Sequence, residues 1–194
     1  SRNYDISVEN SVNGNNNVYV KVYSNSFGFT LKKNSTVSIT EKLVGDCLTF
    51  DITEPYGACF ANRSKITLMV PADYNVDLSV SNHNAVCNVN APKLIISNLA
   101  CNTNNGEFVL ENCKINNNIA VTLNRGNFTL NKSVVTNTNN VELKTNTGNF
   151  YANEAILGNV LVKQNNRAMI QIKQCFVFNF NAKTAGGSID IDKV

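Results

Sequence analysis

Beyond residue 100 the chain carries six carboxylates, Glu107, Glu111, Glu142, Glu154, Asp190 and Asp192. A pair of them converging on one groove is what a glycan hydrolase or lyase would need. Asp190 and Asp192 alternate with Ile189 and Ile191, the pattern of a strand whose acids face solvent. His83 is the only histidine, so a histidine-bound metal or a Ser-His-Asp triad has little to build with. Cys87, four residues on, would have to be the nucleophile of a Cys-His pair; a turn histidine beside an interior cysteine accounts for the same two residues. The segment "GGSIDID" resembles part of a calcium-binding repeat but lacks the tandem nonapeptide with its Asp in every turn. Thr103, Thr145 and Thr184 recur at multiples of about twenty, interrupted by Leu123 and Asn165, and a regular Thr row on a flat outer face would order water as an ice-binding surface does. Whether any of these groups meet depends on the elements that place them.

Those elements repeat. "NNGEFVL" at 104–110 returns as "NRGNFTL" at 124–130, "NTGNFYA" at 146–152 and "AGGSIDI" at 185–191. With Gly106, Gly126, Gly148 and Gly187 set in one column, Ala85 and Ala168 fall into the gaps, at spacings of 21, 20, 22, 20 and 19. Two residues after this corner stand Cys87, Phe108, Phe128, Phe150, Ile170 and Ile189, and four after stand Val89, Leu110, Leu130, Ala152, Ile172 and Ile191. Seven after stand Pro92, Cys113, Ser133, Ala155, Cys175 and Val194, and nine after Leu94, Ile115, Val135, Leu157 and Val177. A spacing of two within the unit means strand. A unit of about twenty residues is too short for a strand plus a crossover helix, so each must be one coil of short strands and tight corners. Stacked coils place like on like, and Phe108, Phe128 and Phe150 are expected to form one internal stack. The fold class is therefore all-β, a β-helix-like β-solenoid with one chain turn per coil of about 20 residues.

Asparagine is the compositional outlier, 36 of 194 residues. Asn suits tight corners because it tolerates left-handed backbone. Eleven after the corner stand Ile96, Asn117, Asn137, Asn159 and Asn179, and stacked amides there are expected to hydrogen-bond up the column. Before residue 70 the alternation continues through Val18, Val20 and Val22, then Phe27, Phe29 and Leu31, then Val37 and Ile39, then Leu48, Phe50 and Ile52, but without the period. No Gly-, Ser- or Pro-rich linker separates the parts. The organisation is one domain over 1–194, with irregular N-terminal coils over 1–70 and regular coils over 71–194.

A strand ending in Val-Pro, "ITLMVPADYNVDLSV", followed by coils written T-x-x-G-x-[FI]-x-[LI], resembles adhesin-type families of unknown function whose members form β-solenoid heads of the autotransporter kind. The pattern stands here as "TNNGEFVL", "TNTGNFYA" and "TAGGSIDI", with "LNRGNFTL" and "NNRAMIQI" as variants, and it covers residues 64–192 closely and 4–63 loosely. The resemblance implies the fold and a cell-surface or extracellular setting. It transfers no catalytic, cofactor or metal residue, since such families have no agreed active site.

Six Cys suggest disulfides, but the columns argue otherwise. Cys113 and Cys175 share a column three coils apart, about 14 Å, beyond disulfide reach. Cys87, Cys101, Cys113 and Cys175 are expected to be buried thiols, and only Cys47 and Cys59, flanking the turn at 54–57, are placed to bridge. Sequons at Asn34, Asn62, Asn127 and Asn131 are no more than such an Asn content supplies by chance, so they do not mark the compartment. The net charge of +3 comes from scattered Lys and Arg, densest at Lys32-Lys33, too sparse for a phosphate-tracking stripe, so nucleic acid is not the expected partner. No apolar run approaches the eighteen or so residues of a membrane span.

The sequence thus predicts a rod-like binding, adhesion or scaffold module that is not an enzyme, needs no cofactor, and offers flat polar faces to a protein or glycan partner. The alternative is a structural subunit of a larger assembly, organellar rather than surface-borne, with its Cys reduced; a glycan-active enzyme ranks third. The strand "SIDID" near Val194 would leave an open coil, which predicts self-association through the C-terminal coil.

Overall fold

Apolar residues at every second position make strands that bury one face of the sheet. The computed structural model describes residues 4–11, 18–30, 38–44, 47–53, 57–72, 74–136 and 140–194, and for residues 4, 22–30, 38–39, 47–53, 57–64, 81–85 and 165 it describes the backbone alone. The strands are β1 (Tyr4–Asn10), β2 (Tyr19–Thr30), β3 (Ser38–Val44), β4 (Cys47–Thr53), β5 (Gly57–Val70), β6 (Asn75–Asn90), β7 (Ile95–Glu111), β8 (Lys114–Ile115), β9 (Ile119–Asn131), β10 (Val134–Val135), β11 (Asn140–Asn153), β12 (Ile156–Lys173) and β13 (Phe176–Asp192). From β6 onward each coil lies parallel on the last: β6 on β7, β7 on β9, β9 on β11, β11 on β12, and β12 on β13. The predicted solenoid is the fold.

The register is the predicted one at the core. Cys87 pairs Phe108, Phe108 pairs Phe128, Phe128 pairs Phe150, Phe150 pairs Ile170, and Ile170 pairs Ile189. The three phenylalanines are fully buried and lie ring over ring, 5.9 Å between the centroids of Phe108 and Phe128 and 5.5 Å between Phe128 and Phe150, the second pair nearly parallel at 19°. One coil departs from the alignment. Around Pro92 the chain turns over Ala91–Leu94, with the Leu94 N–H donating to the Ala91 carbonyl at 3.0 Å. Ala91, not the exposed Pro92, is buried in that turn, and Ile96 rather than Leu94 pairs with Ile115.

The corners are built from close backbone contact. Gly126 has φ 136°, and a Cβ there would sit 1.7 Å from the Gly106 carbonyl oxygen, so only glycine lets these coils meet. Six residues past each corner, Asn112, Lys132, Glu154, Gln174 and Lys193 adopt left-handed backbone with φ between 47° and 54°. The first four each donate their N–H to the next coil, for example Lys132 to the Asn153 carbonyl at 3.0 Å, so stacking satisfies the group that the turn frees. Behind this turn sit Cys113, Ser133, Ala155 and Cys175, all buried.

Before residue 70 the irregularity takes a definite form. β1 lies between β5 and β6, parallel to both, with Ile6 opposite Ile66 on one side and Cys87 on the other. The N-terminal strand is therefore an extra rung inserted between two strands that follow each other in the chain. β2 then runs antiparallel along β5, Val20 opposite Leu68 and Lys21 opposite Thr67, while β3 and β4 form a separate antiparallel hairpin. Of the apolar residues that suggested strands here, Leu31 and Val37 lie outside the described residues.

Candidate functional site

The carboxylates do not meet. Glu111 accepts from the Asn90 amide at 3.4 Å, Glu142 lies 3.1 Å from Lys144 and 3.8 Å from Lys163, and Glu154 lies 4.0 Å from Lys132. Asp190 accepts from Gln171 Nε2 at 3.0 Å and lies 3.9 Å from Lys173 Nζ, and both it and Asp192 are exposed. Glu111, Glu142, Glu154 and Asp190 are each engaged by different neighbours. Among the described residues no three His, Cys, Asp or Glu side chains gather as metal ligands. His83 falls in β6 where only the backbone is described.

The threonine row is corrected by the structure. Thr103 and Thr145 are 5% and 4% exposed, so they face the interior and cannot form an outer ice-binding face. The place between Thr145 and Thr184 belongs to Gln164, not Asn165, because β12 carries an irregularity between Gln164 and Arg167. Gln164 is buried and donates to the Gly148 carbonyl at 3.1 Å. Leu123 in this column was the signal: three before the corner has the parity of the buried side.

The cysteines are buried, free thiols at Cys87, Cys101, Cys113 and Cys175. Burial pushes Cys87 and Cys101 up to about 12, with the Cys101 sulfur adding to the shift of Cys87. Burial also raises Cys113 and Cys175. A thiol that holds its proton this firmly is no nucleophile at neutral pH. The pairing expected for Cys47 and Cys59 lies outside the described side chains; their backbones belong to β4 and β5, which pair with different partners.

The outer surface is where the coil period organises polar chemistry. Of the predicted asparagine column, Asn179 donates to Asn159 at 2.7 Å, whereas Asn137 lies outside the described residues. A longer ladder stands two residues before the corner. Asn124 donates to Asn104 at 2.7 Å, Asn146 to Asn124 at 3.2 Å and Asn166 to Asn146 at 2.6 Å, four coils joined by side-chain amides. Asn149 to Asn127, at 3.0 Å, is a second, shorter one across the corner.

Beside the long ladder runs a column of cations. Lys144 pairs in register with Lys163, and Lys163 with Lys183, all three exposed. Stacked coils set them about 4.8 Å apart at the backbone, where like charges directly opposite repel. Glu142 offsets part of this by pairing with the first two. Exposed Arg125 and Arg167 border the same ladder at the corner. Charges that look scattered along the chain are thus aligned. The signal was present, since these lysines are 19 and 20 residues apart, the coil period itself. Lys32 and Lys33, the densest cluster in sequence, lie outside the described residues. An outward apolar column adds to this picture: Val134 pairs Ile156 and Ile156 pairs Phe176, 37%, 41% and 58% exposed, growing more open towards the last coil.

A family model described as Toastrack DUF4097 matches residues 1–192. Neither the curated proteins nor the solved structures contain a match to the chain. No helix among the described residues is long and apolar enough to cross a membrane.

Proposed function

The chain belongs to the Toastrack DUF4097 family, a domain of unknown function with a solenoid fold, and from that premise we propose a non-catalytic binding module whose laddered, basic flank engages an anionic glycan. The observation that carries this reading is the in-register column Lys144, Lys163 and Lys183 beside the four-coil asparagine ladder. Lysines held at one coil spacing repel each other until an anion lies along them, so a linear ligand with repeated negative charge relieves a cost built into the fold. The neighbouring amides offer both donors and acceptors at the same repeat, which suits sugar hydroxyls and carboxylates. Because the strands are already rigid, little ordering opposes binding. Dispersed carboxylates and protonated thiols support the non-catalytic part of the reading.

Retention of the chain on a sulfated polysaccharide resin, against neutral dextran, tests this directly. Retention that falls with salt and is lost in Lys144→Gln/Lys163→Gln/Lys183→Gln is the expected result. Equal retention of wild type and triple variant, or none on any anionic glycan at low salt, would sink it. The assembly alternative, a structural subunit within a larger complex, draws support from the apolar residues of β13, where Phe176, Phe178, Ile189 and Ile191 are each about half exposed or more.

A further inference from the structure

The two end strands of the stack carry opposite halves of the same columns. Among the described residues β2 pairs only with β5, and β13 only with β12. The column that begins at Val20 in β2 passes through Leu68 and Val8 and ends at Ile191 in β13. Its neighbour begins at Lys21, passes through Thr67 and Ser7, and ends at Asp190. Lys21 and Asp190 are both exposed, and Val20 is half-buried. Ile191 is 47% exposed, whereas Ile172, one coil further in and in the same column, is 1% exposed. Among the described residues no strand lies on the outer side of Ile191.

We propose that β2 of a second copy lies along the outer edge of β13, so that the chain stacks head to tail. The two strands would run antiparallel, as β2 already does along β5, with Lys21 opposite Asp190 and Val20 opposite Ile191. The inner column then continues from one copy into the next. Lys21 supplies on the open side of Asp190 the positive charge that Lys173 supplies on the closed side at 3.9 Å. The unpaired edges of both strands gain the hydrogen bonds that an exposed edge lacks. The rival occupant is another β13 related by a two-fold axis. Keeping Ile189 against Ile191 in that arrangement sets Asp190 against Asp190, and like charges directly opposite are destabilising. Charge therefore selects the head-to-tail contact. Such a contact is heterologous, so it does not close on itself and builds linear oligomers. One strand pair buries little surface, which makes the association weak and concentration-dependent. This inference is independent of the glycan reading and gives the assembly alternative a definite partner and register.

Sedimentation of the 194-residue chain over a concentration series, with charge-reversed variants, tests it. The wild type is expected to form a ladder of dimers, trimers and larger linear species. Lys21→Asp and Asp190→Lys should each weaken association about tenfold, and mixing the two variants should restore it, because each then meets a complementary partner. Ile191→Lys, which sets a charge opposite the half-buried Val20, should abolish it. A chain that stays monomeric at every concentration overturns the proposal. So does assembly that stops at a dimer and strengthens in Asp190→Asn, the behaviour of the two-fold rival, or assembly indifferent to both charge reversals.

Discussion

β12 and β13 are successive coils with the same apolar pattern, yet they hold it differently. Ile170 and Ile172 are 0% and 1% exposed; Ile189 and Ile191, in the same two columns, are 46% and 47% exposed. The residue type, the spacing and the strand are alike, so the difference comes from the neighbour alone. In a solenoid a coil cannot bury its own interior; the coil above does that for it. Stability is then shared between rungs, and a substitution matters according to how many sides of it are covered.

Measurements on variants and on pH test this contrast. The largest effect belongs to Phe128→Asp, which places a charge in the doubly covered phenylalanine stack: loss of the ring costs about 3 to 5 kcal/mol, and burying a carboxylate adds to it. The central coils should unfold, seen as lost β signal in circular dichroism; an unchanged melting temperature would refute the register. Next comes Gly126→Ala, where the new Cβ meets the Gly106 carbonyl oxygen at 1.7 Å with φ at 136°. It should destabilise by about 3 kcal/mol or more. Gly186→Ala in the last coil, where the nearest atom is Arg167 Cγ at 3.4 Å, should be nearly silent in the same denaturant titration.

The paired variants Ile170→Ala and Ile189→Ala measure the contrast itself. The first should cost about 2 to 5 kcal/mol and the second below about 1.5 kcal/mol, since half of its side chain already faces solvent. Equal costs would mean that the last coil is covered in solution, and raising the protein concentration should increase the cost at Ile189 if a second copy does the covering.

The smallest effect concerns pH. Cys87 and Cys101 keep their protons up to about pH 12 in the folded coil, against 9.0 for an exposed thiol, so unfolding releases protons in between. Their contribution is complete below the unfolded value and fades as pH rises from 9.0 towards about 12. Melting temperature should fall over the accessible part of that window, and less so in Cys87→Ala/Cys101→Ala. A thiol reagent at neutral pH should modify these two only after denaturant is added; rapid labelling of the native chain would contradict their burial.

Much of this was legible from residue types. Leu123 among the threonines marked an interior column, and the spacing of Lys144, Lys163 and Lys183 matched the coil length, but both signals need every residue, not only the apolar ones, to be sorted by column. The asparagine ladder from Asn104 to Asn166 was equally available two places before the corner. Other features left no local trace. The turn over Ala91–Leu94 brings Ile96, not Leu94, into line with Ile115, and a turn's length depends on backbone angles that composition only limits.

The coil follows from the residue pattern alone, because a period of two within strands and about twenty between them admits one way to gather the apolar residues into a shared dry interior. The same pattern also determined that Phe108, Phe128 and Phe150 are neighbours. The fold alone shows that β1 fills the gap between β5 and β6, some 60 residues from one partner and 81 from the other, and that β2 runs in reverse along β5. Periodicity reports which side of a strand is buried. Which distant strand supplies the next rung is set by the open backbone edge it finds and by the charges that face it there, and those exist only once the coils have stacked.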